Sequence, residues 1–202
     1  MSRRPLIIGA LLCLSMLQAG APALAADTYR IDPVHSNVEF RIRHLVSYVS
    51  GRFTSFKGTV VFDEKLIEGS SVDVMIEATS VTTDNEKRDA DLRSDNFFDV
   101  ETYPLITFKS SQVRRVDATH FTVVGDLTMR GVKKSVALDA EYLGLSAGMG
   151  QAARIGFSAT TKIDRKDYGF TWNRNLDTGG VLLGDDVTIQ LFLEGIAAGE
   201  QQ

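Results

Sequence analysis

His35, His44 and His120 are the only histidines, and Cys13 is the only cysteine. A bound transition metal needs several such ligands converging at short spacings, as in HxH, HxxxH or paired cysteines. None of these sets occurs. His35 and His44 stand nine residues apart, so one unbroken strand would send them to opposite faces. No metal site is therefore expected. The chain also lacks the GxxxxGK[ST] phosphate cradle and the dinucleotide GxGxxG. The GxSxG spelling occurs once, at Gly144–Gly148 (GLSAG), within the glycine-rich stretch that reads as a hairpin tip and not as the strand-to-helix turn such a nucleophile needs. Asp185 and Asp186 are adjacent, and neighbours on a strand point apart, so they cannot share a proton as a catalytic dyad does. No catalytic residue and no cofactor are expected. His44 keeps two readings. It shares parity with Phe40 and Ile42, which sets it on an inward face, where a ring N–H can donate to the oxygen of a polar ligand head. The plainer reading is a strand-end histidine bonded to backbone or a carboxylate. His35-Ser36, after Asp32-Pro33, reads as a turn whose side chains satisfy backbone groups.

The elements that must position these groups are strands. Val38, Phe40, Ile42 and His44 alternate with Asn37, Glu39, Arg41 and Arg43, the period of a strand with one buried face. The same alternation marks Val72 to Ala78, Phe121 to Met129, Val132 to Tyr142, Ile155 to Ile163 and Val187 to Leu193. Shorter strands are read at Thr59–Asp63 and Ile106–Ser110. These make about eight antiparallel strands, with no long helical pattern to cover an open sheet. Closure into a barrel would bury one face and remove the edges; on pattern alone a β-sandwich is the alternative. Thr83 to Phe97 is the exception, a short polar helix capped by Thr83 or Asp84 and anchored by Leu92, with Phe97 and Phe98 packing back. The glycine-rich Gly144 to Gln151 reads as a mobile hairpin tip.

Residues 1–25 read as a secretory leader: Arg3-Arg4, an apolar run from Leu6 to Leu17, and the small-residue site Ala23-Leu24-Ala25. Cleavage there would leave residues 26–202 as one domain without cysteine, in keeping with an exported chain that uses no disulfide. The formal charge of −4 would become −6 once Arg3 and Arg4 are lost. That balance argues against nucleic acid or an anionic membrane as the main partner.

Five blocks carry a family resemblance: Ile31–His44 (IDPVHSNVEFRIRH), Gly51–Gly58 (GRFTSFKG), Arg88–Ser110 (RDADLRSDNFFDVETYPLITFKS), Gly125–Lys134 (GDLTMRGVKK) and Lys162–Asn173 (KIDRKDYGFTWN). In this order the chain resembles the YceI-like family, periplasmic proteins that bind polyisoprenoid lipids inside a lipocalin-like barrel. The family often has a histidine just before the position of Leu92. Asp91 stands there in this chain, which removes that basis for a metal or proton role.

The resemblance implies an all-β, lipocalin-like barrel of about eight strands with a helical lid. It also implies a periplasmic carrier of a polyisoprenoid or similar long-chain amphiphile, with a homodimer compatible. Lipid-cavity candidates are Phe40, Ile42, His44, Phe53, Phe56, Phe97, Phe98, Phe108, Phe157 and Trp172. Arg88 and Arg93, beside the lid, are candidates for an anionic head group. Two other readings stand beside this one: an enzyme, hydrolase or isomerase, acting on such a lipid, and an envelope interaction protein whose barrel is filled by its own side chains.

Overall fold

The computed structural model describes residues 26–148, 151–177 and 179–199. The expected leader, residues 1–25, and part of the glycine-rich tip, 149–150, lie outside the described residues. Eleven strand segments form one antiparallel sheet: β1 (Asp27–Ile31), β2 (Asn37–His44), β3 (Ser47–Phe53), β4 (Phe56–Phe62), β5 (Ser71–Glu77), β6 (Val81–Thr82), β7 (Leu105–Arg115), β8 (His120–Met129), β9 (Val132–Ser146), β10 (Arg154–Asp164) and β11 (Leu183–Ala197). A single α-helix among the described residues, α1 (Glu86–Arg93), lies in the connection between β6 and β7.

The pairings reduce the eleven segments to eight strands. β2 pairs with β3 and β1 with β4, while β4 pairs with β5 and β3 with β6. Thus β1–β2, β3–β4 and β5–β6 are three long strands, each creased once. The crease in the first is Asp32 to Ser36, where Pro33 has no N–H to give a ladder. Continued unbroken, the Val38↔Phe53 register would set Arg30 opposite Val61, but Arg30 faces Thr59, so two residues are taken up in the turn. From β5–β6 onward each strand pairs with the next as far as β11. β11 then pairs with β2 (Ile189↔Phe40) and with β1 (Ala197↔Tyr29), closing the barrel.

The side-chain alternation follows the expected faces. Arg41 and Arg43 are exposed, whereas Val38 is buried and Phe40, Ile42 and His44 are half-buried on the inward face. Three segments escaped the pattern, and one of them, β6, is only two residues long. β1 has only two inward apolar residues, Tyr29 and Ile31, and in β3 the inward stripe is broken by Gly51. β4 and β7 are also longer than the Thr59–Asp63 and Ile106–Ser110 runs suggest.

The helix cap also differs from expectation. Asn85 caps α1, its side chain accepting from the Arg88 N–H at 3.0 Å. Thr83 and Asp84 are committed elsewhere. Asp84 takes a two-pronged hydrogen bond from Arg52 at 2.9 Å, and the Thr83 N–H and hydroxyl both donate to Asp89. Burial by itself pushes the Asp89 carboxyl upward. The hydrogen bonds from Thr83 and Thr82 and the nearby Arg93 charge outweigh it and hold the group below the usual range. Asp89 thereby pins the first turns of the helix to the end of β6.

At the closing seam Ser36 turns inward onto β11, accepting the Glu194 N–H at 2.9 Å, as its turn position suggests. Asp32 accepts from the Val34 N–H at 2.9 Å, contacts His35 Nδ1 at 2.8 Å and takes an Arg154 hydrogen bond at 2.9 Å; Arg154 also bonds Glu194. The His35 contact, helped by Val34 and Arg154 against the opposing effect of burial, lowers the Asp32 carboxyl to about 2. An aspartate in the unfolded chain titrates at about 3.9, so on acidification the unfolded state takes up its proton first. The stabilisation is complete above that value and is lost as pH falls through about 2. In denaturant melts, the stability gap between the native chain and Asp32→Asn at pH 5 is expected to close largely from about pH 4 to 2. A gap unchanged at pH 2 would show that the Asp32 charge does not hold the seam.

Candidate functional site

The inward faces of the eight strands enclose a cavity of about 440 Å³. Its wall is overwhelmingly aliphatic and aromatic. Val38, Phe40 and Ile42 line it from β2 with Ile189 and Leu191 beside them on β11, and Ala159 and Leu138 continue the wall on β10 and β9. Two aromatic groups bound it. Phe62 stacks on Tyr142 at 5.1 Å and meets Phe157 edge-on at 5.2 Å at the end away from α1. Toward α1, Phe40 and Phe53 lie 5.8 Å apart, Phe53 and Phe98 5.5 Å, and Phe97 and Trp172 5.3 Å. Such tilted and edge-on pairs hold one another in place beyond their burial alone.

Inward glycines keep the bore open. Gly51 is the cross-strand partner of Phe40, and a Cβ on it would lie 2.4 Å from the Phe40 ring. A Cβ on Gly125 would meet the Phe108 ring at 2.6 Å and the Lys109 carbonyl at 2.5 Å. Both rings therefore rest against bare backbone at the wall, and the centre is left empty. In an eight-strand barrel, whose interior is just wide enough for side chains to fill, that difference decides between a solid core and a ligand site.

Of the cavity residues expected from sequence, Phe40, Ile42, His44, Phe53, Phe97, Phe98, Phe108, Phe157 and Trp172 all line this space. Phe56 does not: it is the first residue after the crease in its strand and is packed into the core. The two arginines also part company. Arg88 lines the cavity, its Nε donating to the Thr83 hydroxyl at 2.7 Å and its Nη2 to the Thr83 carbonyl at 3.0 Å. Arg93 stands outside it, donating to the carbonyls of Thr79 at 2.8 Å and Val81 at 2.7 Å. Its fork is spent clamping the last turn of α1 to the strand beneath, which leaves it poorly placed for a head group.

Arg165 is a cavity-lining residue that sequence reasoning passed over. It is only 4% exposed. Its guanidinium donates to the carbonyls of Gly184, Phe170 and Trp172 and to Asp185. The signal was present, because the inward parity Ile155, Phe157, Ala159, Thr161, Ile163 continues to Arg165. Polar groups of the lining gather mainly toward α1, where His44, Thr83, Arg88, Asp91 and Arg165 occur, with Ser70 and Ser71 toward the other end.

Among the described residues, one group of side chains has metal-ligand geometry: Asp32, His35 and Glu194, whose ligand atoms lie within 4.8 Å of one another. It belongs to the seam and does not line the cavity. Arg154 already bonds both carboxylates, so a guanidinium fills the place a cation would take.

A closed eight-strand barrel with a large apolar interior and one helix over its end is a lipocalin-like binding barrel, the class this fold and cavity define. Residues 29–195 match the YceI-like domain, and the chain belongs to that family. It is 38% identical over 185 residues to Protein YceI of Escherichia coli O157:H7, covering 90% of this chain and 93% of that one. The YceI protein of Campylobacter jejuni, a solved structure, superposes with a TM-score of 0.66 at 34% identity, over 79% of this chain and 90% of that one. A polyisoprenoid-binding domain from Saccharophagus degradans shares the fold, with a TM-score of 0.64 at 20% identity over 84% of this chain and 98% of that one.

Proposed function

We propose that this protein is a periplasmic carrier that holds one polyisoprenoid, or a similar long-chain amphiphile, inside its barrel without altering it chemically. The observation that carries this reading is the apolar cavity of about 440 Å³ kept open by Gly51 and Gly125. Its size falls in the range of roughly 300–1,000 Å³ common for small-molecule sites. Each methylene withdrawn from water contributes about 0.8 kcal/mol, so a handful of isoprene units offsets much of the cost of association. Binding by the Saccharophagus domain supports the choice of ligand class. His44 and Arg88 supply hydrogen-bond donors for the polar head at the α1 end. An open interior counts against a barrel filled by its own side chains. Catalysis has no favouring observation: His44 and Arg88 are donors beside hydrocarbon walls, without a paired nucleophile.

The test begins with native protein from an osmotic-shock fraction. Its intact mass should start at or near Ala26, and its organic extract should contain a long-chain isoprenoid. After delipidation it should take up a polyprenol at one per chain with no added metal. Protein retaining Met1 to Ala25 in that fraction would refute cleavage after Ala25, and absence from the fraction would refute export. Uptake that required metal, or conversion of the lipid into product, would refute the carrier reading.

A further inference from the structure

The α1 end of the barrel bears a feature that the cavity does not explain. The hairpin between β2 and β3 turns on two residues, Leu45 and Val46, with His44 paired to Ser47. Val46 is 94% exposed and Tyr48 58%, and Leu45 is exposed as well. Leu45 adopts φ +51, a position in a two-residue hairpin that glycine fills most easily. A leucine there carries strain while presenting an apolar side chain to water, a combination that stability alone does not favour. Beside the tip, the Leu45 N–H donates to the Leu182 carbonyl at 3.0 Å, and exposed Val181 extends the apolar surface.

Three arginines flank this surface. The Arg41 guanidinium lies 4.8 Å over the Tyr48 ring, the Arg43 Nε donates to the Leu45 carbonyl at 3.1 Å, and Arg174 is joined through its carbonyl to the Leu182 N–H at 2.9 Å. All three are exposed, and among the described residues none is in an ion pair. Of the nearby acids, Asp185 is held by Arg165 and Lys166 and Asp186 by Lys162, leaving Glu39, two residues before Arg41 on β2, and Asp177 in the adjoining loop. On a chain of net charge −4, an apolar tip ringed by arginines is a local reversal of sign. The tip also adjoins the cavity, since His44, Val49, Leu182 and Leu183 line it.

We propose that the Leu45–Val46 hairpin docks on an anionic phospholipid bilayer, with Arg41, Arg43 and Arg174 on the lipid phosphates, so that the ligand crosses between membrane and barrel at this end. Apolar tips enter the boundary between head groups and acyl chains, and cations beside them add attraction that salt screens. The overall acidic charge opposes approach elsewhere, so it orients the molecule tip first. The proposal rests on the carrier reading for its purpose but not for its test.

Delipidated full-length mature chain is sedimented with vesicles of phosphatidylglycerol and phosphatidylethanolamine, and separately with phosphatidylcholine vesicles. Association is expected with the anionic vesicles and should weaken at high salt, by about fivefold for each arginine in Arg41→Gln and Arg43→Gln. Val46→Asp should lose about tenfold or more in vesicle binding and in the rate of polyprenol pickup from vesicles. Its uptake of polyprenol dispersed in solution should be unchanged, because Val46 is not part of the cavity wall. Failure of the dispersed-lipid uptake in the native chain would sink the carrier reading while leaving vesicle binding to judge the docking. Native protein that ignores anionic vesicles, or Val46→Asp that binds and loads like the native chain, would overturn the proposal. Self-association abolished by Val46→Asp, without vesicle binding, would assign the tip to a second copy and overturn it equally.

Discussion

Phe40→Glu is expected to destabilise the barrel by about 3–5 kcal/mol, or to abolish lipid uptake where the fold survives. The ring lies on the inward face of β2, against Gly51 and 5.8 Å from Phe53. Replacing it removes that packing and sets a carboxylate among hydrocarbon walls, with no cation within its own layer of Val38, Ile42 and Ile189. The cavity offers one escape, since water can enter and solvate the charge, in which case the cost appears as lost affinity for an apolar chain. Arg41→Glu, one residue away, should change stability by about 1 kcal/mol or less. Its side chain is in water, and only the stacking on Tyr48 is lost. Denaturant melts and polyprenol uptake on both variants make the comparison. Equal tolerance of the two would mean that β2 does not line the interior, because a one-residue slip would exchange its faces.

Arg165→Met should cost a comparable amount, about 3–5 kcal/mol, for a different reason. The buried guanidinium gathers the carbonyls of Phe170, Trp172 and Gly184 and the carboxylate of Asp185, stitching the segment after β10 to the start of β11. Methionine can fill much of the volume but leaves those oxygens with fewer donors away from water, and buried acceptors without partners are costly. Lysine should not restore the site, because one ammonium cannot reach the spread of acceptors that a planar fork spans. Asp185 keeps Lys166 at 2.7 Å, so the loss should centre on the carbonyls. Melting should report the destabilisation, and hydrogen exchange should rise first between Phe170 and Gly184. A variant within about half a kcal/mol of the native chain would show that the guanidinium does not hold this rim.

What could be read in the sequence was set by periodicity. Eight alternating runs corresponded to the eight strands because the three missed segments, β1, β3 and β6, are continuations of strands already counted. Gly51 hid β3 by interrupting its apolar stripe, and the same residue makes room for Phe40. Parity also put Phe40, Phe108 and Phe157 on the cavity wall, since facing inward is a property of the strand itself, whereas Phe97, Phe98 and Trp172 reach it from connections. The arginines were harder. Arg88 and Arg93 both sit on the lid, and only the carbonyls offered by Thr79 and Val81 distinguish a clamp from a cavity residue. Such acceptors come from a crease in another strand, and no local pattern announces them. The helix start was misread for a similar reason: Thr83 and Asp84 are good caps, but Asp89 and Arg52 had prior claims on them.

The seam carries a consequence for how the chain acquires its shape. Seven of the eight junctions of the barrel join strands that follow one another, so they can form as hairpins while the polypeptide lengthens. The eighth joins the first strand to the last, and Ser36 meets Glu194 across 158 residues of chain. Until β11 is made, the first strand presents a bare edge and the sheet is an open trough with its apolar face uncovered, the state in which sheets pair wrongly with their neighbours. Closure is then a single late event, and Asp32, Ser36, Arg154 and Glu194 mark its register as the teeth of a clasp do. The cavity exists only after the final strand has arrived, so loss of that strand would remove the binding site whole.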